Sequence, residues 1–222
     1  MKKLLSILLC AAAIVATFGC APEIEKLDKN LSELRDELMT AASDRVKITL
    51  ISGEREEPFV IDGTPGERTP FTVVTITPSG FGDDAEFSYV VYDGAEKREG
   101  RFYRHPYKNT YSAELNTRVV GSAAVTVTSD GYAENFELKS VKTAETVSAS
   151  VALETAEIRL KDSLKKLRED GELKAEIYVR FTENPISADG GYYWYVAFVP
   201  DKYTVYAALI DPVTKEIAAV RE

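Results

Sequence analysis

His105 is the sole imidazole of the chain, and that limits the catalysis it can support. It stands in Arg101-Phe-Tyr-Arg-His-Pro-Tyr107, at a strand end before Pro106. A general base there needs a nucleophile or bound proton within hydrogen-bond reach, and the expectation is an exposed loop histidine instead. Carboxylates are abundant but scattered. Asp83 with Asp84, or Asp130 with Glu134, are the groupings that loops could offer to Ca²⁺. Calcium takes six or more oxygens, however, and no Asp-x-Asp-x-Asp spacing supplies them. One histidine and two cysteines exclude a Cys₂His₂ zinc site. No catalytic residue, metal site or cofactor is expected, so the chain reads as a non-enzyme. The run Tyr192-Tyr193-Trp194-Tyr195 is different. With period two, Tyr193 and Tyr195 share one face and Tyr192 and Trp194 the other. One pair must pack under a covering helix. The Tyr193/Tyr195 pair is the candidate binding surface, a platform for a sugar ring or an extended peptide, unless both faces are covered.

Cys20 is the remaining reactive group, and its surroundings assign it a different chemistry. Lys2 and Lys3 form a basic start, Leu4 to Ala16 an apolar stretch too short to span a bilayer, and Gly19 a small residue at a cleavage point. Cys20 follows at once, with the polar Glu23-Ile-Glu-Lys run behind it. This pattern resembles a bacterial lipoprotein signal, with Thr17 and Phe18 standing where the family has an aliphatic and a small residue. The resemblance implies a signal over 1–19, a diacylglyceryl group on the Cys20 thiol, and a palmitate-type lipid anchor on the extracytoplasmic face of a bacterial cell membrane. Two acyl chains suffice for stable anchoring. The alternative is an ordinary secretory signal cut nearby, leaving Cys20 a free thiol. The net charge is −9, and two units more negative once Lys2 and Lys3 are removed. A chain this acidic does not suit phosphate backbones, so no nucleic-acid partner is expected. With Cys10 in the signal, Cys20 has no disulfide partner, and a hydrophobic content of 45% must supply the cores.

Those cores need elements to carry them. Ile24, Leu27, Leu31, Leu34, Leu38 and Ala41 alternate three- and four-residue spacings, the seam of a heptad repeat. The spacing predicts a helix over 23–42, placed as a lipid-anchored stalk (residues 20–42) or packed on its own domain. Weak self-association through residues 24–41, as a short coiled coil, is the sharper reading. From Ser43 the period becomes two. Val46, Ile48, Leu50; Phe71, Val73, Thr75; Phe87, Tyr89, Val91; Tyr111, Ala113, Leu115; and Ala123, Val125, Val127 alternate with polar residues, separated by Gly/Asp/Pro turns. Residues 44–143 are therefore predicted as an antiparallel β-sandwich. The stretch Asn109 to Leu115, followed by Gly121 to Gly131, resembles the last strands of bacterial immunoglobulin-like domains, with Tyr111 at the place of the corner tyrosine.

Residues 144–170 return to a helical period, with Leu153, Ala156, Leu160, Leu164 and Leu167 on one stripe and Gly171 as C-cap. Strands follow from Ala175, Tyr192, Tyr203 and Glu216, giving an α+β unit over 144–222 in which a helix covers a three- to four-stranded antiparallel sheet. Trp194, Val196 and Phe198 are expected under the Leu153/Leu160/Leu164 stripe. The whole fold class is thus mainly β with α+β, the two domains separated by a cleavable link near Lys142–Glu145. Tyr192 to Phe198 and Ile210-Asp-Pro-Val-Thr-Lys-Glu-Ile217 resemble the PepSY family of exported bacterial domains, with Lys215 where that family has a φ > 0 glycine. The resemblance implies a binding or peptidase-inhibitory role outside the cytoplasm. The expected function is a membrane-anchored, non-enzymatic protein- or peptide-binding module. The alternative is a carbohydrate- or cell-wall-binding accessory protein using the Tyr/Trp strand.

Overall fold

A computed structural model describes residues 28–187 and 190–222; Cys20, the signal and residues 23–27 of the expected helix lie outside the described residues. The chain is mainly β. The strands are β1 (Leu31–Ala42), β2 (Val46–Glu56), β3 (Arg68–Pro78), β4 (Ser88–Asp93), β5 (Glu96–Arg101), β6 (Tyr103–Arg104), β7 (Tyr111–Leu115), β8 (Ser122–Ser129) and β9 (Tyr132–Ser140). Helices α1 (Ala149–Arg159) and α2 (Lys161–Lys165) come next, followed by a small hairpin of β10 (Arg168–Glu169) and β11 (Glu172–Leu173). β12 (Glu176–Glu183), β13 (Tyr192–Asp201), β14 (Thr204–Ile210) and β15 (Ile217–Arg221) complete the chain.

Among the described residues, all strands but β10 and β11 belong to one sheet. Its main path runs β15-β14-β13-β12-β1-β2-β3-β7-β6, and a branch β9-β8-β4-β5 leaves from β1. β1 is the junction. One edge pairs along β2, from Glu33↔Arg55 to Ala42↔Lys47. The other edge is divided: Leu31 to Arg35 pair in parallel with Ile177 to Arg180, while Met39 and Thr40 pair with Ser140 and Lys139.

From Leu31 onward, then, the expected helix is a strand, and residues 31–42 are not a stalk. The physical reason lies in two irregularities of β1, between Leu31 and Glu33 and between Leu34 and Glu37. Each displaces the period-two phase, so that residues three and four apart return to the same side. Leu31, Leu34 and Leu38 all pack into one core in this way. Their spacing imitates a heptad. A helix of under three heptads is marginal by itself, and a strand with partners on both edges prevails. Because these leucines are packed within the fold, residues 31–41 present no seam for the expected coiled-coil association. Gly53 on β2 accommodates the second irregularity: a Cβ there would lie 1.8 Å from the Leu34 carbonyl oxygen.

The branched sheet folds back over a first core. Met39, Ile48, Leu50, Val74 and Ile76 from one arm meet Phe87, Tyr89, Val91, Val125, Val127 and Leu138 from the other. A second core lies under α1, where Ala152, Leu153, Ala156, Leu160 and Leu164 cover Ile177, Val179, Phe181, Trp194, Val196, Phe198, Ala208 and Ile210. Leu38 of β1 belongs to this second core and Met39 to the first. The helical stretch is shorter than expected. It starts after Ser148, whose hydroxyl accepts from the Val151 N–H at 3.3 Å, and ends at Lys165. Gly171 is therefore not a helix cap. It forms the β10–β11 turn with Asp170, both at positive φ (82° and 51°), as a two-residue hairpin requires.

Candidate functional site

The β12–β15 part of the sheet has two unlike faces. Toward α1, Trp194 is only 1% exposed. Its indole N–H donates to the Val147 carbonyl at 3.1 Å, and its ring lies 4.9 Å from that of Phe181. The opposite face carries Tyr193 and Tyr195, both half-buried. No helix covers it. Strand registers set two rows across it: Arg180–Tyr195–Leu209–Ala219, and Tyr178–Ala197–Ala207–Arg221. The alanines leave the centre low, and Pro185 and Ile186 of the β12–β13 loop rise beside it. The result is an apolar groove of about 240 Å³, lined by Tyr195, Ala207, Leu209, Ala219, Pro185 and Ile186 among others. It runs to β15, which pairs with β14 alone among the described strands. One edge of β15 therefore presents backbone N–H and C=O groups without ladder partners. The turn into β15 is built on Asp211, whose Oδ1 accepts from the Val213 and Thr214 N–H groups at 2.9 and 2.8 Å. Those bonds hold its carboxyl below the usual range. Lys215 there has φ +64°, in the left-handed region.

On the β1 side the same face is charged and closed. Glu33 is fully buried and accepts from Arg180 through Nη2 at 2.5 Å and Nε at 3.1 Å, and from Arg35 Nε. Burial, and then the neighbouring Arg180 and Arg55, lower the Arg35 guanidinium to about 10, so it remains a cation at neutral pH. Glu176, also fully buried, accepts from the Tyr178 hydroxyl through Oε2. Its Oε1 accepts from the backbone N–H groups of Asp62 and Gly63 at 2.8 and 2.7 Å. Burial and the Glu176 bond push Tyr178 above the ordinary phenol range, which keeps it a neutral donor. Glu56 accepts from the Gly66 N–H at 2.7 Å. Burial, opposed in part by that bond, raises its carboxyl. These carboxylates fasten the 57–67 loop over the charged end of the face, and Phe59 rests edge-on against Tyr178 at 6.0 Å. The cluster is a clamp: guanidinium groups, a phenol and backbone amides already engage its carboxylates.

The remaining sequence candidates lie apart from this face. His105 is exposed, and its Nδ1 accepts from the Tyr107 N–H at 3.1 Å. Asp84 and Asp130 line an open hollow of about 580 Å³ with Glu86 and Arg101. Glu134 is not among them; it accepts from the Ser43 hydroxyl at 2.8 Å and from Tyr132. No group of three or more metal-ligating side chains occurs among the described residues. No helix among them is long and apolar enough to cross a membrane. Strand periodicity puts Glu176 and Arg180 on the face opposite Ile177 and Val179, but Glu33 and Arg35 lie in the stretch expected to be a helix. No signal in the sequence exposes them, because two irregularities break the period-two phase of β1 around them. No protein-family model, curated protein or solved structure matches this chain.

Proposed function

We propose that this protein is an extracytoplasmic lipoprotein, held at the membrane through acylated Cys20, that binds an extended peptide segment of a partner protein. The observation carrying the binding role is the apolar groove of about 240 Å³ beside the open edge of β15. A free strand edge offers main-chain hydrogen bonds to an added strand, and an adjoining hollow accepts its alternate side chains. The low floor of Ala207 and Ala219 makes room for an apolar side chain, with Tyr195 supplying a broad wall. Arg221 at the groove's end favours a carboxylate on the incoming segment. The immunoglobulin-like and PepSY-like resemblances support the same non-enzymatic role.

The test is selection of unstructured peptides from a random display library on immobilised protein, followed by affinity measurement on Ala219→Arg. A large side chain at Ala219 fills the groove from a half-exposed position, and peptide affinity should fall at least about tenfold, equivalent to 1.4 kcal/mol, while the melting curve stays unchanged. Equal binding by the variant would remove the groove from the proposal. Soluble cell-wall glycan, titrated in parallel, should leave Ala219→Arg and the parent indistinguishable.

A further inference from the structure

We infer that the end of the molecule at which β1 begins seats on a lipid surface, with Phe59, Val60 and Ile61 inserted among the headgroups; this rests on the Cys20 anchor proposed above. Three observations meet at that end. First, Phe59, Val60 and Ile61 are 49%, 47% and 41% exposed, the one run of three consecutive large apolar residues left exposed among the described residues. Tyr203, 79% exposed with Lys202 Nζ 4.8 Å from its ring centre, stands in the β13–β14 turn. Second, the 57–67 loop is held to the sheet. Glu176 grips Asp62 and Gly63, Glu56 grips Gly66, and a Cβ on Gly63 would come 2.4 Å from the Pro200 carbonyl oxygen. The apolar tip is thus presented by a fixed scaffold, next to the strand end that leads to Tyr203.

Third, the chain enters the fold at this same end. Leu31 pairs with Ile177, adjacent to Glu176. The Asn30 side-chain amide donates to the Leu173 and Ala175 carbonyls at 2.9 Å each. Only the ten residues from Ala21 to Asn30 separate Cys20 from that fixed point, a reach of at most about 35 Å. An acyl group on Cys20 therefore keeps this end within reach of the bilayer. Aromatic and aliphatic side chains at such a distance partition into the interfacial region. With a net charge of −9 for the full chain, two units more negative once Lys2 and Lys3 are removed, the protein gains nothing from anionic lipid, so the expected surface is one met by apolar insertion.

The experiment uses the full lipoprotein with Ile61→Cys, which becomes its sole free thiol once Cys20 is acylated. The thiol carries an environment-sensitive fluorophore, and the protein is reconstituted in zwitterionic phosphatidylcholine vesicles containing headgroup-region doxyl lipid. Tyr107→Cys, at the opposite end beyond β6, is the control; both positions are exposed in the fold. The label at 61 should shift to the blue and lose at least about half its emission to doxyl lipid, while the label at 107 behaves as in water. If both labels report water while intact mass shows the acyl group on Cys20, the seating is overturned and the anchor stands. If the mass shows no acyl group, Cys20→Ser, Ile61→Cys protein mixed with the same vesicles decides. Quenching at 61 then supports seating without the anchor, and no quenching overturns both. A blue shift at 61 that grows with protein concentration in the absence of lipid would assign the tip to a second copy and overturn the proposal.

Discussion

Trp194 and Tyr193 are neighbours in sequence and opposites in environment, and their substitution should separate structure from recognition. Trp194 fills the second core and satisfies its N–H at Val147, so Trp194→Ala should cost about 3–5 kcal/mol in denaturant melts. Tyr193, half-buried on the uncovered face, should cost clearly less. A smaller loss for Trp194→Ala than for Tyr193→Ala would contradict the packing described. That the two residues lie on opposite faces was legible from the period of two alone. The state of Glu56 was not, because nothing near it in sequence shows that it is buried. Its carboxyl is raised, by burial first and by nearby Glu176 in part. A raised native value means the folded protein holds this proton more firmly than the unfolded chain does. The associated stability is complete below the ordinary value of 4.5 and is lost as pH rises through the native value. Unfolding free energies of the parent and Glu56→Gln, measured across that window, should therefore diverge, the parent losing ground as pH rises and the difference levelling off above it. A parent that gains on the variant with rising pH would reverse the assignment.

At the scale of elements, β2, β3, β4, β7 and β8 lie where alternation and turn residues predicted them, whereas β10 falls in the stretch predicted as helix. The former are half-buried, and a half-buried strand writes its burial into every second residue. β1 failed that reading because bulges carry no composition of their own. Its register is set by Gly53 across the ladder and by β12, whose residues lie far away in sequence. The groove escaped sequence reading for a related reason: Ala207 and Ala219 become a floor only when β14 and β15 are aligned beside Tyr195 of β13. Gly53→Ala tests the bulge. The added methyl meets the Leu34 carbonyl, so β1 and β2 must separate, at an expected cost on the order of 3 kcal/mol. Gly80→Ala meets nothing within 4 Å; at its φ of 75° the expected loss is only the conformational strain, about 1–2 kcal/mol. Equal losses for the two would show that contact with Leu34 does not matter.

For the molecule as a whole, the second core is not confined to residues 144–222, because Leu31, Leu34 and Leu38 of β1, Ile51 of β2 and Val141 pack into it. Residues 144–222 without β1 lack Leu31, Leu34 and Leu38 from their core and leave Glu176 to Arg180 without their parallel partner. That fragment should be largely unfolded by circular dichroism and amide exchange. The chain from residue 28 onward should unfold in one transition that fluorescence and circular dichroism report alike. Two separate transitions, or a well-folded 144–222 fragment, would show that the sharing of β1 is dispensable.

The direct entry of the chain into β1 also has a mechanical consequence. A pull applied at the N-terminus, against a load held at the far end of β1 near the turn into β2, is directed along β1 and enters a strand flanked on both sides. Its hydrogen bonds to β2 and β12 lie across the line of force and are loaded together, in shear, instead of opening one after another as at a peeled hairpin. The weakest strand pairing therefore does not set the resistance to extraction. The lifetime under tension, governed by the unfolding rate rather than by equilibrium stability, is set where the molecule is most heavily cross-braced.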